Sequence, residues 1–133
     1  MLNIFKKKKQ TLGAWGEDYI ASEYKKKGYK ILDKNYFNRK GKQIGEIDFI
    51  ALKDKDLAFV EVKTRTNTAY GRPGESVDFF KQQKLVRASK KFLQDNPKYL
   101  DFQYHIDVAE LICDLDRNVQ DVNILVNAVE DTL

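Results

Sequence analysis

Two short apolar runs separated by an Asp-Lys-Asp cluster constrain this chain most. The stretch Gly45 to Arg65, GEIDFIALKDKDLAFVEVKTR, alternates and turns like an antiparallel hairpin. Ile47, Phe49 and Ile50 supply strand formers in the first arm; Phe59, Val60 and Val62 supply them in the second. Side chains alternate between sheet faces, and residues directly opposite share a face. With Leu52 opposite Leu57, Ile50 meets Phe59, Asp48 meets Glu61 and Glu46 meets Lys63. A slip of one residue would put the apolar set on the wrong face. One face is therefore apolar near the turn and ionic at the far end.

The ionic end sets Asp48 beside Glu61, a like-charge pair. Opposed carboxylates disfavour joint ionisation. A hard divalent cation removes the conflict, because Mg²⁺ takes one or two carboxylates plus water and phosphate oxygens. Lys63 lies two residues beyond Glu61 on the same face. Its ammonium there can hold an attacking water and offset charge on a phosphorane-like transition state. The competing reading is a solvated hairpin face with a Glu46–Lys63 ion pair. Ile50, Leu52, Leu57 and Phe59 on that same face weigh against it.

The spacing Asp48 … Glu61-Val62-Lys63 resembles the PD-(D/E)xK nuclease superfamily. More closely, GAWGEDYIASEY, ILDKNY, GEIDFIA, FVEVKTR and YHIDVAEL resemble the YraN-like family of small bacterial proteins. Ile47 stands where the superfamily motif has Pro, and His105 where relatives often have Arg. The resemblance implies a restriction-endonuclease-like fold and Mg²⁺ or Mn²⁺ held by Asp48, Glu61 and the Val62 carbonyl. It also implies assistance from Glu17 and Glu46, and in-line hydrolysis of DNA leaving 5′-phosphate and 3′-hydroxyl ends. Branched, Holliday-junction-like DNA is one substrate it suggests. The alternative is a non-catalytic nucleic-acid-binding or protein-interaction module on the same scaffold, since fold alone does not settle activity.

Before the hairpin, Thr11 to Lys27 has a capping Thr11, three terminal lysines and a closing Gly28, which predicts a helix. Glu17 is the acidic member of its Ile20, Ala21 and Tyr24 stripe. Gly13 and Gly16 weaken this helix, as close approach to a sheet or phosphate would explain. Tyr29 to Phe37 follows as a strand. After the hairpin, Thr66 to Val77 is a loop with Tyr70 and Arg72 bordering the ionic end. Ser76 is expected to cap a helix to Gln94, with Val77, Phe80, Lys84, Leu85, Ala88 and Phe92 on one partly apolar stripe. Phe102 to Ile112 and Val119 to Val126 are the last strands. Strand, helix, strand predicts a parallel right-handed crossover. The expected fold is α/β: helix, three-strand meander, helix, strand, plus a C-terminal strand in a mixed sheet.

The chain has 133 residues, so one domain is the default: a basic tail over 1–10, then one unit over 11–133. Its net charge is +4, which permits a polyanion partner. Lys6 to Lys9, Lys25 to Lys27, Arg39 to Lys42 and Lys81 to Lys91 carry the positive charge. Lys81, Lys84, Arg65, Arg72 and Arg39 are the expected backbone contacts, and a homodimer would bring two sites to two strands. The single cysteine, Cys113, excludes an internal disulfide and suits a reducing cytoplasm; one Cys and one His exclude a zinc cluster. Mean hydropathy is −0.59 and no apolar run is long enough to span a membrane.

Overall fold

The hairpin forms in the expected register. In a computed structural model, which describes residues 10–37, 46–66 and 78–130, strands β2 (Glu46–Lys53) and β3 (Asp56–Thr66) flank a tight turn at Asp54, φ 54°. Leu52 faces Leu57 and Ile50 faces Phe59. The sequence meander continues to β1 (Lys30–Phe37), antiparallel to β2. Strand β4 (Gln103–Cys113) lies parallel to β3, and β5 (Val119–Leu125) lies antiparallel to β4. The five-stranded mixed sheet therefore runs β1-β2-β3-β4-β5, as the helical crossover requires. The arrangement is that of a restriction-endonuclease-like core. The four-lysine run, the Arg39 to Lys42 turn, Tyr70, Arg72 and Ser76 lie outside the described residues.

One helix covers each sheet face. Helix α1 (Leu12–Lys26) starts where Thr11 accepts the Ala14 N–H at 3.1 Å. It stops at Gly28, φ 97°, whose N–H bonds Lys25 while that of Tyr29 bonds Tyr24. Its Ile20, Ala21 and Tyr24 pack on Phe49, Ala51, Ala58, Val60, Ala109 and Leu111. Helix α2 (Phe79–Asp95) covers the opposite face, where Leu85, Ala88 and Phe92 meet Ile50, Leu57, Phe59 and Ile106. Its cap lies two residues later than the Ser76 expectation, because Asp78 accepts the Lys81 N–H at 2.9 Å. Phe80, expected on the buried stripe, is exposed; Val86, Ser89 and Leu93 complete that stripe instead. Pro97–Tyr99 forms a short 3-10 turn before β4.

Two departures from regular geometry shape the sheet. Gly16 touches β3 so closely that an added Cβ would lie 1.9 Å from Thr64 Oγ1. Gly13 has open space instead, so close packing explains only the second glycine. Asn35 adopts φ 54° within β1. On its near side Lys34 pairs with Asp18 of α1 at 2.8 Å, whereas Tyr36 packs on Phe92 of α2. A regular strand would keep those two side chains on one face. The strand turns over at Asn35, and β2 follows: Phe49 joins the α1-side core and Ile47 the α2-side core. Asp48 sits at that inversion.

A buried polar chain fixes α1 to the sheet. Tyr24 donates to Asp107 at 2.6 Å and Tyr29 to Asp56 at 2.8 Å. His105 bridges the two carboxylates, at 2.6 Å from Asp107 and 2.8 Å from Asp56. Both ring nitrogens can donate only in the imidazolium form. The Asp107 carboxylate, aided by Asp56 and against the cost of burial, pushes the His105 pKa up to about 9. Cys113 is buried, and burial raises its thiol. Among the described residues no helix is long and apolar enough to cross a membrane.

Candidate active site

Backbone pairing between β2 and β3 stops at Phe49 and Val60, while β2 remains paired to β1 as far as Glu46. The expected ladder pairs Asp48–Glu61 and Glu46–Lys63 therefore do not form. In their place Asp48 Oδ2 accepts the Val62 N–H at 2.7 Å. A strand residue turns its N–H and C=O to the same flank, so the Val62 carbonyl faces this gap too. The Asp48 carboxyl also hydrogen-bonds Glu61. Burial, then the Glu61 hydrogen bond and charge, push the Asp48 pKa up to about 9, against the opposing pull of the Val62 N–H. Burial and the neighbouring Glu61 charge thus favour the neutral form of Asp48 well above the ordinary carboxylate range.

Four further groups surround this pair. Glu17 lies in α1, one residue after the Gly16 contact, and its charge acts on Asp48. Burial raises its pKa, and the charges of Glu46, Glu61 and Asp18 raise it further. Lys81 Nζ lies 3.1 Å from Glu61 Oε2. That oxygen is buried and receives no directed hydrogen bond, so the contact is an ion pair of poor angular geometry. Burial works to lower the Lys81 ammonium, but Glu61, with Asp48 and Glu46 behind it, holds it above the ordinary lysine value. Glu46 is exposed at the rim. Lys63 is half-buried and, by strand alternation, shares the Glu61 face.

Lys63 stands beside Glu110 of β4 in the parallel register. Glu110 is 4% exposed and its Oε1 has no hydrogen-bond partner. Burial raises its pKa, offset by Arg65, which lies two residues beyond Lys63. Sequence reasoning missed Glu110; its only signal was a charged residue inside the apolar DVAELIC run. It also placed Lys81 among the backbone contacts, whereas the structure turns that ammonium onto Glu61. Lys84 does face solvent, on the outer side of α2. Arg39 and Arg72 lie outside the described residues.

The site thus brings Asp48, Glu61 and Val62 together, with Glu17 acting on them through its charge and Lys63 and Lys81 at the edges. Among the described residues no three His, Cys, Asp or Glu side chains form a ready metal cage. Two carboxylates and a carbonyl nevertheless suit a hard cation that keeps waters and takes phosphate oxygens. The raised Asp48 pKa and the Lys81 ammonium already drawn to Glu61 mark where positive charge fits.

The model of "Uncharacterised protein family UPF0102" matches residues 16–111. The chain belongs to the UPF0102 family. It is 42% identical to a UPF0102 protein of Caldanaerobacter subterraneus over 121 residues, covering 90% of this chain and 95% of that one. A Chloroherpeton thalassium member is 46% identical over 104 residues, covering 78% and 77%. A Clostridium perfringens member is 39% identical over 123 residues, covering 92% and 97%. The family match spans Glu17 through Glu110, and so every residue assembled at the UPF0102 acidic centre.

Proposed function

We propose that this protein is a Mg²⁺- or Mn²⁺-dependent endonuclease that hydrolyses DNA phosphodiester bonds. The observation that carries the reading is the buried Asp48–Glu61 carboxyl pair, set where the β2–β3 ladder breaks and Asp48 accepts the Val62 N–H. Asp48, Glu61 and the Val62 carbonyl would hold the cation. The bound cation would supply Lewis-acid stabilisation of the phosphate oxygens. Lys63 orients the attacking water by hydrogen bonding. Glu17, whose raised pKa suits it to accept a proton, takes one from that water. The water oxygen bonds to phosphorus as the bond from phosphorus to O3′ breaks in line, and the leaving O3′ takes a proton from solvent water. The products are a 5′-phosphate and a 3′-hydroxyl.

A second reading rests on the Lys81–Glu61 ion pair, which neutralises part of the acid without any cation. In that reading the cluster is a structural latch, and the fold binds nucleic acid or a protein without cutting. A cleavage assay on linear, single-stranded and branched DNA with Mg²⁺ and Mn²⁺ separates the two. The nuclease reading expects cut strands with 5′-phosphates from wild type, and loss of at least ~100-fold in rate for Asp48→Asn and Lys63→Ala. Equal, metal-independent background from all three proteins would favour the second.

A further inference from the structure

The first turn of α2 carries two adjacent aromatic rings that the core does not use. Phe79 is 61% exposed and Phe80 72% exposed. Their rings pack edge to face with centroids 6.3 Å apart. They immediately precede Lys81, whose ammonium touches Glu61, so the same helical turn carries the rings and a contact to the acidic centre. Phe80, Lys84 and Arg87 recur at helical spacing, and all three are exposed. Phe79 forms one wall of a hollow of about 290 Å³, lined also by the Gln82 and Gln83 amides and, on its far side, by Ala128 and Glu130. An aromatic next to a line of cations is the composition that binds single strands: rings stack bases, while cations follow phosphates. Side-chain amides are suited to the edges of unpaired bases. A continuous duplex hides its base faces and offers such rings nothing to stack on.

We propose that Phe79 and Phe80 stack unpaired bases of a single-stranded DNA segment flanking the scissile phosphate, with Lys84 and Arg87 on its backbone. This substrate class rests on the nuclease reading of the acidic centre. It explains why two large apolar side chains face solvent beside a charged site, where a monomer gains nothing by exposing them.

The test is binding of the full chain without divalent metal, so that no strand is cut. The probes are a 2-aminopurine-labelled single strand and the matching duplex. Both rings are exposed, so Phe79→Ala and Phe80→Ala should melt like wild type. Each should weaken single-strand binding ~10-fold, abolish the 2-aminopurine stacking signal and change duplex binding less than ~2-fold. Lys84→Ala should weaken both and lower the salt slope, whereas the Phe variants should leave that slope unchanged. Wild-type-like single-strand binding by the Phe variants would overturn the proposal, even if the protein cleaves DNA. Equal losses on single strand and duplex would overturn it as well. So would a change of oligomeric state without a change in DNA affinity, which would make this a protein interface. A protein that never cleaves, yet loses single-strand affinity with the rings, would uphold stacking and remove the nuclease reading.

Discussion

The Asp48 carboxylate accepts the Val62 N–H at 2.7 Å, where a regular β2–β3 ladder would place a backbone carbonyl. A side chain thus ends the ladder, and burial with the nearby Glu61 charge holds that same carboxyl's pKa well above the ordinary range. The strand break and the acidic pair are one feature.

Metal-free Asp48→Asn should therefore melt no lower than wild type. The Asn oxygen still accepts the Val62 N–H, and its amide donates to Glu61 as the protonated acid does. The folded pKa of Asp48 is raised, so wild type loses stability as pH rises from about 4 towards about 9. The Asn variant lacks this loss. Its advantage should grow across that window, read from denaturant midpoints at several pH values. A strongly destabilised variant at pH 7 would contradict a neutral Asp48.

His105 has a separate signature. Its folded pKa lies near 9, above an unfolded value near 6.5. Its stabilisation is complete below about 6.5 and is lost as pH rises through about 9, worth roughly 3 kcal/mol. The hollow lined by His105, Tyr104, Val126 and Asn127 leaves room for a longer cation. His105→Arg should keep both carboxylates paired and flatten that part of the pH profile. A profile between pH 6.5 and 9 unchanged by Arg would assign the slope elsewhere.

Gly16→Ala should drive α1 away from β3. The new methyl would overlap Thr64 Oγ1, and overpacking of this kind costs about 1–3 kcal/mol. Because Glu17 is the next residue, cleavage should fall further than stability alone explains. Thr64→Ala in the same chain should restore part of both. No recovery in the double variant would place the clash elsewhere.

Asn35→Val should cost about 1–2 kcal/mol, because a β-branched residue resists positive φ. Asn35→Gly should be tolerated. Thermal melts of the pair test whether the inversion of β1 depends on that backbone conformation.

Much of this geometry was legible in the sequence. Alternation around Asp54 fixed the register, and Thr11 and Gly28 bounded α1 through local hydrogen bonds. Glu17 stood out as an acid on an apolar stripe. The inversion at Asn35 was not legible: an Asn within a strand pattern does not declare a positive φ, and parity then carried Glu46 to a ladder that does not form. Phe80 was assigned to the core because a helix pattern shows which residues share a face, not which face meets the sheet. Lys81 met Glu61, and Glu110 met the Lys63 edge, through tertiary packing that local patterns do not encode.

On the nuclease reading, a cation replaces the proton that Asp48 keeps at neutral pH. Calorimetric titration of the metal-free protein with Mn²⁺ at pH 7, in buffers of different ionisation heats, measures this directly. Ligands must shed protons when a metal binds, so the account predicts saturable binding with about one proton released per Mn²⁺, and none for Asp48→Asn. No binding at millimolar Mn²⁺, or binding that releases no proton and survives Asp48→Asn, would contradict it.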